Sequence, residues 1–265
     1  MPLPPPQHAC TPAAIESSAP ENSAPEDNVA SEHLDKESDT GAFFRWLGTF
    51  VKSPWRRELV PFGLRLVMLS DTHGSHRKLT VPPGDILIHA GDMTRMGHLE
   101  DAEDFNEWLA TLPHTHKVVI NGNHEYNAEW KKRASDVFSN ATFLKNSAIT
   151  LRAGGDGARP LTLHGTDFAW PMKSTNPNYD AINGTVDVLI AHGPVKGYVD
   201  GGKGCSELRR LVERLQPRVV VGGHIHFAHG CQQGKFGLAD TTFVNAANAR
   251  DSHTHMGWDP VVLDI

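Results

Sequence analysis

Leu64-Arg65-Leu66-Val67-Met68-Leu69-Ser70-Asp71-Thr72-His73-Gly74 is the stretch on which the fold turns. Its first six residues are almost continuously apolar, as in a strand buried on both faces. Its last five are polar and end on a glycine. A buried strand that runs straight into an Asp-x-His loop is the layout of an α/β sheet presenting polar groups at its carboxyl edge.

The same unit recurs on the C-terminal side. Asp85–His89 (DILIH) runs into Ala90-Gly91-Asp92-Met93, and Lys117–Ile120 (KVVI) into Asn121-Gly122-Asn123-His124-Glu125. Val186–Ala191 (VDVLIA) runs into His192-Gly193-Pro194, and Arg218–Val221 (RVVV) into Gly222-Gly223-His224-Ile225-His226. Thr241–Val244 reads as a further strand, and Leu161–Leu163 as a short apolar piece in a weaker middle region, 134–185. His98–Leu112 is predicted helical, with Leu99, Ala102, Phe105, Trp108 and Leu109 at three- and four-residue spacing and Pro113 beyond. Ser206–Leu215 is a second predicted helix, with Ser206 as N-cap and Pro217 after its end. Glu125–Arg133 is a third, with Glu125 as an acid favoured by the helix N-terminus. Strands alternating with helices imply one α/β domain whose sheets are covered by helices.

Composition bounds the rest. A chain of 265 residues, 39% hydrophobic and 8% aromatic, is long enough for one full-sized domain. The net charge of −6 misleads, because residues 1–40 hold eight acids against one base, Lys36, and leave the body close to neutral. No basic stripe advertises duplex nucleic acid as a partner. Residues 1–40, rich in Pro, Ser, Glu and Ala, are expected to be a disordered acidic tail. Residues 41–63 interleave Phe43, Phe44, Trp46, Phe50 and Trp55 with Arg45, Lys52, Arg56 and Arg57. They are expected to pack as a short helix on the domain, with a weak partner or membrane-surface contact as the alternative. Residues 64–265 form the expected catalytic domain. The opening MPLPPPQHAC lacks a basic and apolar leader, and no run reaches the length of a membrane span, so a cytoplasmic setting is expected.

The loops after the strands collect two carboxylates, a carboxamide oxygen and several imidazoles. Mixed oxygen and nitrogen donors of this kind suit Mn²⁺, Fe or Zn²⁺ rather than Ca²⁺ or a thiolate-bound metal. If one aspartate is shared, two ions can sit roughly 3.5–4 Å apart, the spacing of two-metal hydrolases.

The ordered motifs D-x-H, G-D, G-N-H-E, H-G and G-H-x-H resemble those of the calcineurin-like metallophosphoesterase superfamily. The longer stretches SDTHG, GDILIHAGDMT, FNEWLATLP, VVINGNHE, AHGPVKGYVD and FVNAAN are similar to a narrower group, the metallophosphoesterase-domain-containing proteins of the fetal-brain type. The likeness spans about residues 64–265 and is loosest across 126–185. It implies a four-layer α/β/β/α sandwich with two mixed sheets. It also implies that Asp71, His73 and His226 bind a first metal, that Asp92 bridges, and that Asn123, His192 and His224 bind a second. His124 would be a phosphate-facing catalytic residue rather than a ligand. Some animal members carry Gly in place of the first histidine of the last motif; His224 stands there in this chain.

The expected reaction is hydrolysis of small phosphodiesters, cyclic nucleotides as the implied class, by a hydroxide activated between two divalent ions, Mn²⁺ first among the choices. A protein or monoester phosphatase using the same metals is the rival within enzymology. A metal-binding scaffold working through residues 1–63 is the rival outside it. His76, Arg95 and His229 lie near motifs as pocket candidates, His89 and His164 read as structural, and Asn245 and Asn248 as shapers of a strand-end turn.

Overall fold

The structure, a computed structural model, describes residues 63–152, 159–172, 175–236, 239–250 and 255–265. The expected acidic tail at 1–40, and the aromatic segment at 41–63 apart from Gly63, lie outside these residues.

Among the described residues, eleven strands form two mixed sheets. In chain order they are β1 Arg65–Leu69, β2 Ile86–His89, β3 His116–Val119, β4 Thr142–Phe143, β5 Ser147–Leu151 and β6 Leu161–Gly165, then β7 Val188–Ile190, β8 Val219–Gly222, β9 Gly230–Phe236, β10 Ala239–Asn245 and β11 Val261–Asp264. The first sheet runs β11-β1-β2-β3-β4, parallel except for β11 against β1. The second runs β5-β6-β7-β8-β10-β9, with β6, β7, β8 and β10 parallel and the two edge strands antiparallel. Four α-helices among the described residues accompany them: α1 Leu99–Ala110, α2 Ala134–Val137, α3 Pro177–Asp180 and α4 Ser206–Leu215.

Three apolar layers hold this together. Leu66, Met68, Ile86, Ile88, Val118 and Ile120 of the first sheet meet Leu161, Leu163, Val188, Ile190, Val219, Val221 and Val244 of the second. The opposite face of the first sheet (Val67, Leu69, Leu87, Val119) packs on Ala102, Phe105, Trp108 and Leu109 of α1. Leu189, Val220 and Phe243 on the far face of the second pack on Leu208, Leu211 and Val212 of α4. Helix, sheet, sheet, helix is the expected α/β/β/α sandwich. Each such side chain contributes about 1.5–3 kcal/mol by leaving water, far more than one sheet hydrogen bond adds net, so the layers set the fold.

Two local expectations fail. Residues 125–128 are not helical; a 3₁₀ turn at Glu129–Arg133 leads into the short α2. The cause is Glu125 itself, which is buried and spends its carboxylate on another loop. Helix α4 begins at Ser206, so Cys205 occupies the N-cap position and no side chain caps it. Strands β5, β9 and β11 are not among the expected elements; each is an edge strand carrying exposed polar residues. No helix among the described residues is long and apolar enough to cross a membrane.

The two sheets are stitched where the motif loops emerge. Ser70, just past β1, forms a parallel bridge with Ala247, just past β10. The Ser70 N–H donates to Asn248 Oδ1 at 3.3 Å and the Asn248 N–H to the Ser70 carbonyl at 2.8 Å. Asn245 Nδ2 reaches the Val199 and Ile225 carbonyls. The asparagines of FVNAAN therefore do shape a strand-end turn, and that turn clamps the two sheets.

Candidate metal centre

Every motif loop leaves the carboxyl end of a parallel strand: β1, β2, β3, β7 and β8. Their backbones bond directly to one another. The Asp71 N–H donates to the Gly91 carbonyl at 3.0 Å, the His73 N–H to the Asp92 carbonyl at 3.0 Å, and the His224 N–H to Asp71 Oδ2 at 2.9 Å. Four of the expected ligands hold left-handed backbone: Asp71 (φ 56°), His73 (43°), Asp92 (56°) and His224 (67°). Such conformations persist only where the surroundings over-determine them. Space is equally tight, since a Cβ on Gly122 would lie 2.1 Å from Asp92 Oδ1, and one on Gly223 2.2 Å from Asp71 Oδ2.

All eight residues expected at the site come together. Asp71 Oδ1 lies 3.3 Å from His226 Nε2 and 3.9 Å from both His73 Nε2 and His192 Nε2. Asp92 Oδ2 lies 3.2 Å from His192 Nε2 and 3.8 Å from His124 Nε2. Asn123 Oδ1 is 3.0 Å from His192 Nε2, and the His224 ring is 5.2 Å from that of His192. Among the described residues three groups could each hold a cation: Asp71, His73 and His226; Asp92, His192 and His224; and His73, Asp92 and His124, in each of which the ligand atoms lie within 4.8 Å of one another. Asp92 belongs to two of these groups, one of which also contains His73 of the first.

The donor set itself fits cations. Asp71 Oδ1 is buried and has no hydrogen-bond partner. The His192 Nδ1–H donates to the Ala90 carbonyl at 2.8 Å, which turns the Nε2 lone pair toward Asp92 and Asn123 oxygens. Lone pairs facing one another at such distances need a positive charge between them. The protonation states say the same. Burial opposes charge on His192, yet Asp92 and Asp71 push its imidazole up to about 10. Burial would likewise raise the Asp71 carboxyl, but His192, His226 and His73 together hold it far below the usual carboxylate range. A cation would take over the role of that retained proton.

His124 differs from the rest. Its Nδ1–H donates to the Arg95 carbonyl, and its N–H donates to Asp92 Oδ1 at 2.9 Å. Its ring meets that of His73 edge-on, with centroids 4.5 Å apart.

Of the other residues considered, His76 turns away from the site to pair with Asp104 at 3.0 Å, against Phe105 and Trp108. His229 stacks on Trp258. His89 is buried, with Nε2 3.0 Å from Thr72 Oγ1, and His164 is buried in β6. Arg95 contributes its carbonyl. Sequence reasoning missed three contributors. Glu125 looked like a helix-start acid. Phe168 and Trp170, in the weak middle region, pack on the histidines, with Trp170 4.2 Å from the His224 ring and Phe168 5.6 Å from that of His192. An aromatic pair amid loop residues was the available signal.

The chain is similar to known proteins. The family model for calcineurin-like phosphoesterase matches residues 64–228. Human metallophosphoesterase domain-containing protein 1 is 32% identical over 237 residues, covering 76% of this chain and 71% of that protein. A UPF0046 protein of Caenorhabditis elegans is 32% identical over 212 residues, covering 69% of each. A solved structure from Thermus thermophilus, TT1561, aligns with a TM-score of 0.49 at 12% identity, over 69% of this chain and 88% of that one. Five strand-end loops converging on one aspartate- and histidine-lined centre, in a region matched from β1 to the last motif, make the chain a member of the calcineurin-like phosphoesterase family.

Proposed function

We propose that the chain hydrolyses small phosphodiesters at a dinuclear metal centre, with cyclic nucleotides as the substrate class and Mn²⁺ as the ion. One observation carries the reading: Asp92 groups with His192 and His224 on one side and with His73, a member of the Asp71–His73–His226 group, on the other. Asp71, His73 and His226 would hold one cation, Asn123, His192 and His224 the other, and Asp92 both. The oxygen and imidazole donors suit Mn²⁺, with Fe or Zn²⁺ as chemical alternatives. When bound, the pair supplies Lewis acidity toward phosphoryl oxygens and lowers the pKa of water toward neutrality.

The chain's own residues do the rest. Two carboxylates balance half the charge of two divalent ions and leave the centre attractive to a phosphate. The Arg95 carbonyl accepts the Nδ1–H of His124 and orients the ring so that Nε2 lies 3.8 Å from Asp92 Oδ2, where the protonated imidazole would hand its Nε2 proton to the leaving oxygen. Buried Asp71 and Asp92 are positioned before substrate arrives, so little reorganisation is needed. A diester is favoured by the aromatic surroundings. Phe168 and Trp170 flank the histidines, Tyr126 is 6.2 Å from Phe168, and exposed Phe227 follows His226. Rings suit a second organic substituent on phosphorus better than a free dianion.

The test is turnover with added Mn²⁺ on bis-p-nitrophenyl phosphate and cyclic nucleotides, beside p-nitrophenyl phosphate and a phosphopeptide. Faster diester hydrolysis, lost in Asp92→Ala, is the expected result. Preference for the monoesters would make it a phosphatase. Bound metal with turnover of none of them would make it a scaffold.

A further inference from the structure

Glu125 belongs to none of the three ligand groups, yet it is fully buried and its two oxygens take four donors. Oε2 accepts the N–H of Asp92 at 3.0 Å and of Gly122 at 2.8 Å. Oε1 accepts the N–H of Thr94 at 2.9 Å and its hydroxyl at 2.6 Å. One carboxylate thus braces the loop after β2 against the loop after β3. Those loops carry Asp92 on one side and Asn123 with His124 on the other.

The brace has a strained backbone to hold. Asp92 sits at φ 56°, and the side chain of Asp92 fills the space where Gly122 would need a Cβ. Thr94 extends the restraint, because its Oγ1 also accepts the Gly97 N–H at 2.9 Å. Arg95, next in the chain, accepts the Nδ1–H of His124. Three of the four donors are amides that cannot reverse their polarity. An isosteric glutamine would turn its NH₂ toward one donor pair and leave it without an acceptor.

We infer that Glu125 is a positioning residue, which holds the carboxylate oxygens of Asp92 where two cations share them. The inference rests on the two-cation reading above and adds a residue to it.

Glu125→Gln and Thr94→Val, each in the full chain, decide the matter with Mn²⁺ as probe. Binding is followed by calorimetric titration, the ion pair by electron paramagnetic resonance, and folding by circular dichroism. Wild type is expected to take two Mn²⁺ and to show the spectrum of a spin-coupled pair. Glu125→Gln is expected to keep one Mn²⁺ at near wild-type affinity, to bind the second roughly 10–100-fold more weakly, and to lose the coupled spectrum. Thr94→Val, which removes the hydroxyl donor to Glu125 together with the acceptor of the Gly97 N–H, is expected to weaken that same step about 2–10-fold. Two Mn²⁺ bound with unchanged affinity and coupling in both variants would overturn the role of Glu125 while leaving the metal centre intact. Equal loss of both ions in a folded Glu125→Gln would also overturn it. No Mn²⁺ bound by wild type would instead remove the two-cation reading itself. Should Glu125→Gln not fold, Thr94→Val rules alone, and an unchanged second binding step refutes the brace.

Discussion

The Nε2 atoms of His73 and His226 face each other 3.4 Å apart across 153 residues of chain, and Asp71 Oδ1 lies 3.3 Å from the latter. Two imidazoles can share one proton along such a line, but the carboxylate oxygen then stays unpaired in the interior. A divalent ion satisfies all three at once. His226→Ala removes one corner, and metal content by mass spectrometry should fall from two ions to about one per chain. The saturating Mn²⁺ that raises the wild-type melting temperature should raise the variant's less, since about 2.7 kcal/mol accrues at a hundredfold excess over each Kd. Two ions retained by the variant would sink the assignment.

His124 is held by Arg95 and Asp92 rather than by the facing imidazoles. Replacing it with alanine should lower kcat for a diester by roughly 10²–10⁴-fold, the usual worth of a positioned proton donor. Metal stoichiometry should stay at two, because the proposed ligands remain. A variant that loses an ion along with its activity would make His124 a ligand instead.

Gly122 is a matter of room, not of backbone angle, since an added methyl would sit 2.6 Å from the Asp92 backbone nitrogen as well as 2.1 Å from its carboxylate. Backbone cannot swing aside as a flexible chain end can. Gly122→Ala should cost about 1–3 kcal/mol in chemical denaturation and weaken Mn²⁺ binding with it. Wild-type stability and titration curves would contradict the packing described.

His76 offers a pH test remote from the metals. Burial pushes its pKa down to about 4, against the opposing pull of Asp104, so the folded protein keeps it neutral. An unfolded chain takes up a proton near pH 6.5, which favours unfolding as the pH falls from there toward 4. His76→Gln lacks this titration. Its stability should therefore fall less steeply with acid, and the gap from wild type should narrow below pH 6.5. A gap of constant size from pH 7 to pH 4 would show that His76 does not titrate differently on folding.

The aromatic pair Phe168 and Trp170 predicts selectivity. Trp170→Ala should raise KM for bis-p-nitrophenyl phosphate several-fold more than for p-nitrophenyl phosphate, because only the diester has a second ring to cover. Equal effects on the two substrates would remove the argument from the rim.

Much of this was legible in the linear chain because the signals are local. LRLVML before Asp71, DILIH before Asp92 and RVVV before His224 each join a buried strand to its polar loop within a dozen residues, so the donor types and their place at strand ends could be read off directly. Tertiary structure decided what depends on distance and packing. Strands buried on both faces carry no alternation, so nothing in the order of Leu66, Val67, Met68 and Leu69 says which pair meets the second sheet and which meets α1. Glu125 has the residue type of a helix-start acid, and only the nearness of the Asp92, Gly122 and Thr94 amides turns it inward. The left-handed angles of Asp71, His73, Asp92 and His224 leave no trace in composition either, since it is the contact between loops distant in sequence that holds each one there.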